Sequence, residues 1–364
     1  VLGVETMSIL VVGLLMNLLI ARFTKFKYVF LTGHHSLFMA CLMSAVLGTA
    51  GLSGIELILV GGFLMGAWSA ISPAIGQSYT SKVTDGDEIA LGHFGSLGYY
   101  LSAWVAKYVG KAEESTEDIE IPEKWGFLRD STLSTALTMI VFYLIAAIAA
   151  GSEFVATLSG SMSPYLFAVM SAMNFAVGVA IVYSGVRMIL GDLIPAFQGI
   201  ATKIIPNAIP AVDCAVFFTY APTAVVLGFI SSFIGGIIGM LILGAVGGVL
   251  IIPGLVPHFF CGATAGIYGN ATGGRRGAAV GAFLNGLAIT FLPALALPVL
   301  GQLGFQNTTF GDADFAVIGL VLGNAFEWIG MAGIYGVVVI AALVLIIPNF
   351  IKTKGKVINY VEEE

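Results

Sequence analysis

The stretch "GFISSFIGGIIGMLILGAVGG", residues 228–248, contains no charged residue. An apolar run of about 20 residues is long enough to cross the hydrocarbon core of a bilayer as an α-helix. Small residues spaced four apart, such as Gly235/Gly239 and Gly244/Gly248, allow neighbouring membrane helices to approach closely. The stretch therefore predicts a transmembrane helix packed inside a bundle, and it carries no information about a ligand.

The composition of the whole chain extends this prediction. The 364 residues are 58% hydrophobic and 10% charged, with a mean hydropathy of +0.99, whereas soluble domains contain about a quarter charged residues. We expect roughly eight full spans and several shorter or broken segments. The long runs are residues 7–20, 37–50, 57–71, 133–151, 165–190, 223–252, 278–300 and 329–348. The sequence predicts an all-α polytopic membrane protein that lies in a lipid bilayer, with neither a soluble catalytic domain nor a nucleic-acid partner.

Cysteine usage and the start of the chain give two further expectations. Cys41, Cys214 and Cys261 have no pairable spacing, so neither a disulfide framework nor a zinc site is indicated, and no metal or cofactor is expected. The chain starts at Val1 without the pattern of a signal peptide. We interpret it as a fragment, or as a chain whose true beginning lies upstream.

Clusters of Lys and Arg predict the orientation, because cytoplasmic loops carry an excess of these residues. We place three clusters in the cytoplasm and leave the side of Arg275 and Arg276 open. The clusters are Arg22, Lys25 and Lys27; Lys107, Lys111, Lys124 and Arg129; and Lys352, Lys354 and Lys356.

Two parts of the chain resemble each other. A long apolar helix leads into a Gly turn in both residues 9–42 and residues 231–263, and "TDGDEIALGHFG" resembles "FGDADFAVIGLVLG" further on. The matched positions are Gly33 with Gly254, Phe38 with Phe259, and Gly86–Asp87 with Gly311–Asp312. Matching broken segments are typical of a transporter built from structural repeats. An odd number of spans between the halves would make the repeats inverted.

The four histidines fall near such breaks. His34 and His93 each follow a Gly that can open a helix or a re-entrant turn, and a neutral imidazole offers one donor and one acceptor to sugar hydroxyls. Ionisable residues at membrane depth are candidates for a substrate path, although each histidine can also be a satisfied core or interfacial residue. His35 is predicted to point away from the face used by His34, and His258, which follows Pro257, is predicted to be structural.

A carboxylate in a neutral segment is a further candidate. Asp213 lies in "IIPNAIPAVDCAVFFTYAP", residues 204–222, and needs a partner or a wet cavity at this depth. It could accept hydrogen bonds from a polyol, or it could cap the N-terminus of a half-helix.

Several motifs, in order along nearly the whole chain, resemble the ascorbate-type enzyme IIC of the bacterial phosphotransferase system. They are "LTGH", "LGH", "GKAEESTEDIEIP", "GVRMILGDLIPAFQGIATKIIPNAIPAVDCA", "YAPTAVV" and "VLIIPGLVPHFF". The resemblance implies a homodimeric multi-pass permease of the inner membrane over residues 1–364, with core elements at about 28–110 and 195–325 interleaved with scaffold spans. It also implies an elevator-type movement and transfer of the substrate to soluble IIB and IIA components for phosphorylation, with no catalytic residues in this chain.

The resemblance carries three substrate positions onto His34, His93 and Asp213. The family has Gln where this chain has Phe38, Met39 and Phe94, so the substrate differs from ascorbate or binds less well. We predict that the three polar residues approach one cavity within about 10 Å of each other, the scale of a small-ligand pocket. Phe38 and Phe94 are predicted to line it. The family also begins several spans earlier.

Two other functions remain open from the sequence. One is a secondary or facilitative transporter that is not coupled to phosphotransfer, and the other is a structural or partner-dependent half-transporter. The polar loop 111–130 is predicted to face the cytoplasm near a docking surface for IIB, with a solvated linker as the alternative.

Overall fold

The chain is described by a computed structural model over residues 3–86, 88–120, 131–301 and 310–351. Within these residues the fold is almost entirely helical, with three short strands. The elements are α1 (Val4–Phe23), β1 (Tyr28–Phe30), α2 (Gly33–Thr49), α3 (Gly54–Thr84), β2 (Ala90–Leu91), α4 (Ser96–Val109), α5 (Ser131–Ala150), α6 (Ser152–Ser159), α7 (Pro164–Lys203), β3 (Ile209–Val212), α8 (Cys214–Phe217), α9 (Pro222–Ala245), α10 (Leu255–Gly301), α11 (Ala313–Ile329) and α12 (Met331–Ile346), followed by a 3-10 helix (Ile347–Phe350).

Seven helices in the described part of the chain are long and apolar enough to cross a membrane. They confirm the all-α polytopic fold. The predicted span at 37–50 is different, because it belongs to α2, whose 17 residues reach about 26 Å at 1.5 Å per residue. That is slightly less than the roughly 30 Å of a bilayer core, so α2 is a short helix at the lower limit of a full span.

α10 is a hairpin of two arms, residues 255–272 and 275–301. Its backbone leaves the helical region at Gly273 and at Gly274, where φ is 59° and ψ is −155°. A Cβ on Gly274 would lie 2.2 Å from the Lys111 carbonyl oxygen, so both the backbone angle and the space require glycine. A Cβ on Gly269 would lie 2.4 Å from the Gly277 carbonyl oxygen, and the arms therefore touch backbone to backbone beside the turn.

The repeat predicted from the sequence is visible as two series of elements. A full helix, a shorter helix, a long helix and a further helix follow each other as α1–α2–α3–α4 and as α9, the two arms of α10, and α11. α4 and α11 both lie along the second arm of α10. α4 approaches the arm at Ala106 to Gly277 and at Gly98 to Asn285; α11 approaches it with Ala313, which lies beside Gly98 and Asn285, and with Gly323, which lies beside Val299. Along that arm the residue numbers of α4 fall while those of α11 rise, so the two helices run in opposite directions and the repeats are inverted.

A small sheet that joins two strands of the first repeat through β3 was not predicted. Its three strands are parallel, in the order β1-β3-β2, with Tyr28 opposite Ile209 and Leu91 opposite Val212. Pairing satisfies backbone groups that lipid cannot satisfy. A Cβ on Gly92 would lie 2.3 Å from the Ala211 carbonyl oxygen, which explains glycine at the end of β2.

The described basic clusters lie at one face of the bundle. α4 ends beside the end of α3, where Lys107 Nζ is 4.8 Å from the centre of the Tyr79 ring, and α1 runs parallel to α3 with Gly13 against Met65 and Gly62 against Val12. The loop after α1 joins the end of α12 through a hydrogen bond from Lys25 N to Asn349 Oδ1 of 2.8 Å.

The turn of α10 lies at the same face of the bundle, and this places Arg275, whose side the sequence left open. Arg275 N donates to the Glu114 carbonyl oxygen at 2.8 Å, and its guanidinium is 3.8 Å from the Glu114 carboxylate. The Arg pair thus shares the face predicted to be cytoplasmic. Lys124, Arg129, Lys352, Lys354, Lys356 and Asp87 lie outside the described residues.

Candidate functional site

The sheet brings the candidate residues close together. Because the strands are parallel, their carboxyl ends meet at one edge. β1 leads into the first turn of α2 with His34 and His35, β2 is followed by His93, and β3 is followed by Asp213. Three segments far apart in sequence therefore deliver their polar side chains to one place.

A cavity of about 430 Å³ lies at this edge, within the size range of small-ligand pockets. The first repeat and the segment around β3 form one side, and the second repeat closes the other side with the start of α10 and the turn before α11. Its wall consists of His34, His35, Phe38, His93, Val182, Asp213, Ala215, Val256, Pro257, Phe260, Gly311 and Asp312. The structure thus brings together His34, His93 and Asp213, the three polar residues selected from the sequence.

Asp213 combines the two alternatives considered from the sequence, a helix cap and a carboxylate that faces a cavity. Its Oδ1 accepts a hydrogen bond from Ala215 N at 3.0 Å and caps the short helix α8. Its Oδ2 lies 3.5 Å from His34 Nε2, and the side chains of Asp213 and His34 are 29% and 58% exposed. One carboxylate oxygen therefore accepts from the backbone, while the other lies next to the exposed His34 ring in the cavity.

The prediction for His35 was wrong, because His35 lies in the cavity wall with His34. The cavity lies at the N-terminal end of α2. Side chains in the first turn of a helix point toward its N-terminus, so consecutive residues there can both reach a cavity beyond that end. The His35 ring lies 3.8 Å from the His93 ring and 4.6 Å from the His34 ring, between ring centres. Neighbouring residues lie on different faces along the length of a helix, but at the end of the helix both can line the same cavity.

The two aromatic candidates differ. Phe38 lies in the wall, is 47% exposed and meets the His34 ring edge to face. Phe94 is fully buried and is not among the wall residues; its ring stacks on Phe30 with centres 4.5 Å apart and also contacts His35. The expectation that Phe94 faces the cavity is corrected: packing behind the sheet satisfies this ring. His258 lies outside the wall, as predicted, and its Nδ1 is 2.9 Å from Ser232 Oγ.

Two carboxylates were missed as functional candidates. Asp312 is in the wall and accepts a hydrogen bond from Cys261 Sγ. Asp314 is fully buried behind it and accepts from Ser96 Oγ at 2.7 Å, Leu97 N at 3.0 Å and Trp68 Nε1 at 3.2 Å. The sequence signal was the Asp-x-Asp at the start of α11, which was used only to align the repeats.

Several of these groups are close enough to suggest metal ligands. Ligand atoms lie within 4.8 Å of one another in the sets His34/His35/Asp213, His35/His93/Asp312 and His93/Asp213/Cys214. However, His35 Nδ1 accepts from Phe94 N at 3.3 Å and His93 Nδ1 accepts from Gly95 N at 3.2 Å. Each of these two neutral rings then carries its proton on Nε2. In this arrangement neither ring has a free lone pair for a metal, and the wall is better suited to hydrogen bonding.

Membrane helices in two inverted repeats, with a cavity between the repeats whose wall contains three histidines and two carboxylates, define a polytopic transport protein. The family described as "PTS system sugar-specific permease component" (EIIC-GAT) matches residues 1–314. The chain belongs to this family, and it is a multi-pass protein of the bacterial inner membrane.

A curated relative agrees with this family. The chain is 25% identical over 307 residues to the "Ascorbate-specific PTS system EIIC component" of Mycoplasma pneumoniae (strain ATCC 29342 / M129 / Subtype 1). The match covers 72% of this chain and 46% of the relative, so the chain spans about half the length of that protein.

Proposed function

We propose that this chain binds an oxygen-rich sugar or sugar acid, similar to ascorbate, in the cavity between its repeats. It carries this substrate across the membrane as the permease subunit of a phosphoenolpyruvate-dependent phosphotransferase system. The observation that carries the proposal is the convergence of His34, His93 and Asp213 on one small cavity. Membership of the permease family and the ascorbate specificity named for the Mycoplasma relative support it.

The movement proposed is of the elevator type. The core elements at about 28–110 and 195–325 hold the cavity and move together, because the first turn of α11 in the second repeat contacts the first repeat directly: Asp314 N donates to the Phe94 carbonyl oxygen at 2.9 Å. The helix α5 and the part of α7 before about residue 195 form the scaffold. Both helices have exposed apolar side chains, such as Val141 and Val177, which fit lipid or the second copy in a homodimer.

The chemistry is supplied by partners. IIA transfers a phosphoryl group to the soluble IIB component, and IIB transfers it to the substrate while the substrate is held in the cavity. The Asp213 and Asp312 carboxylates suit this order of events, because they accept hydrogen bonds from hydroxyls but repel the phosphate of the product. Release into the cytoplasm is thereby favoured after transfer.

An uptake experiment tests the proposal against transport without phosphotransfer. The chain is expressed in bacteria that lack their own uptake of the test sugars, with and without matching IIA and IIB. Cells receive radiolabelled L-ascorbate first and then a panel of sugars, polyols and sugar acids. A matched control carries Glu327→Gln, at an exposed position near the end of α11.

The expected result is accumulation of a phosphorylated product that depends on IIB and is unchanged by Glu327→Gln. Equal accumulation of unmodified substrate with and without IIB would favour a facilitative or secondary transporter. Uptake of no member of the panel would reject the proposal.

A further inference from the structure

The proton positions on two wall histidines follow from their backbone partners. The Phe94 and Gly95 N–H groups point at His35 Nδ1 and His93 Nδ1. A backbone N–H can only donate, so each Nδ1 must be an unprotonated acceptor. Tyr99 Oη, 3.0 Å from His93 Nδ1, is then also a donor.

The opposite edge of each ring is available to a ligand. His35 and His93 are both 3% exposed, and both belong to the cavity wall. Among the described residues, no hydrogen-bond partner is found for Nε2 of either ring. Neither Nε2 atom is among the fully buried polar atoms without a partner, so both N–H groups open onto the cavity and can donate to a ligand that supplies acceptors.

The rest of the wall has the opposite polarity. A nitrogen of each ring and a carboxylate oxygen of Asp312 lie within 4.8 Å of one another, and His93 has the same relationship with Asp213 and Cys214. These carboxylates accept hydrogen bonds. The cavity therefore has neighbouring donor and acceptor sides.

We propose that His35 and His93 bind the substrate as a pair of Nε2–H donors, which makes His35 a specificity-determining residue. The pair selects a ligand whose carbonyl, enolate or carboxylate oxygens face the two rings while its hydroxyls face Asp213 and Asp312. Sugar acids, lactones and keto sugars have this arrangement. Simple polyols bind less well, because hydroxyl oxygens are weaker acceptors than carbonyl or anionic oxygens. The ligand class rests on the proposed function, but the proton positions do not.

The proton positions are tested first, without a ligand. The full chain is labelled with ¹⁵N-histidine, and the four side-chain signals are assigned by single substitutions. We expect both His35 and His93 to be neutral with the proton on Nε2. A proton on Nδ1 of either ring, or a shift of both rings on addition of zinc, would overturn the assignment.

The donor role is tested by two substitutions at His35. In His35→Asn the side-chain oxygen can still accept from Phe94 N, but the N–H donor at the position of Nε2 is lost. In His35→Gln the amide nitrogen reaches the place of Nε2 and can donate. We expect binding of radiolabelled L-ascorbate, or of the panel member that binds most tightly, to be weakened about tenfold in His35→Asn and about threefold or less in His35→Gln.

The controls separate this inference from the proposed function. His258→Gln changes a buried histidine outside the cavity and should leave the affinity unchanged, with the thermal stability of every variant recorded. Equal affinities of His35→Asn and His35→Gln would reject the donor pair. If the unmodified chain binds no probe, the proposed function fails, and the ¹⁵N signals still decide the proton positions.

Discussion

The Asp314 carboxylate accepts a hydrogen bond of 3.0 Å from the backbone nitrogen of Leu97. Asp314 lies in the first turn of α11, and Leu97 lies in the first turn of α4. Because α4 and α11 are equivalent helices of two inverted repeats, this bond joins the two repeats at the first turns of these helices. The same carboxylate accepts from Ser96 Oγ and Trp68 Nε1, so one buried group stabilises the centre of the bundle.

Replacing this carboxylate should destabilise the fold. Asp314→Ala leaves one buried donor, Ser96 Oγ, and two part-buried donors, Leu97 N and Trp68 Nε1, without this acceptor, which we expect to cost about 2 kcal/mol or more. The apparent melting temperature of the purified chain in detergent measures the effect. Glu327→Ala, on the same helix but exposed, is the matched control and should change little. An equal, small effect of both substitutions would show that Asp314 has no central structural role.

Two substitutions separate the roles of Asp213. Asp213→Asn keeps an oxygen that can cap α8, since Asn is as good an N-cap as Asp, but it removes the charge beside His34. We expect near-normal expression and size-exclusion behaviour with a loss of transport. Asp213→Ala also removes the cap and should lose about 1 kcal/mol of stability in addition. If Asp213→Asn loses assembly and transport together, Asp213 is a structural residue.

The two Phe positions should respond differently to glutamine. Phe38 is 47% exposed in the wall, so Phe38→Gln adds an amide that can bond to ligand hydroxyls, and we expect a higher affinity for L-ascorbate in equilibrium binding. Phe94→Gln places an amide in the stack with Phe30, and we expect a lower melting temperature with no gain in affinity. A gain for Phe94→Gln alone would contradict the geometry of the wall.

The orientation of the bundle can be measured at the loop after α4. A cysteine at Glu113, which is exposed, should resist a membrane-impermeant maleimide in intact cells and react after the membrane is opened. Ser115 is a poorer reporter, because its Oγ accepts hydrogen bonds from Glu117 N and Asn270 Nδ2. Ready labelling at position 113 in intact cells would reverse the topology. The three native cysteines are buried, and labelling of the chain without the added cysteine gives the background signal.

The helical class, the repeat and three cavity residues could be predicted from the sequence because each depends on local pattern. Apolar length predicts spans, and glycine next to an ionisable residue predicts a break at depth. The sheet could not be predicted, because strands as short as Ala90–Leu91 have no periodicity to detect. Their pairing depends on Ile209–Val212, more than a hundred residues away along the chain.

The errors at His35 and Phe94 have the same origin. Both residues follow the strand ends, and their direction is set by the sheet. The β1–β3–β2 order places Phe94 against Phe30 and His35 against His93. An argument from helical faces alone cannot take account of these tertiary contacts.

The most direct test of the account is whether a ligand occupies this cavity. A cysteine in place of Phe38, at the exposed part of the wall, is labelled with a maleimide in the purified chain. The labelling rate is measured with and without L-ascorbate and then with each member of the sugar panel. Ile55→Cys, at the exposed start of α3, is the control. We predict that at least one sugar or sugar acid slows labelling at position 38 severalfold and leaves position 55 unchanged. Labelling of position 38 that no member of the panel slows, or equal slowing at both positions, would contradict a binding site between the repeats.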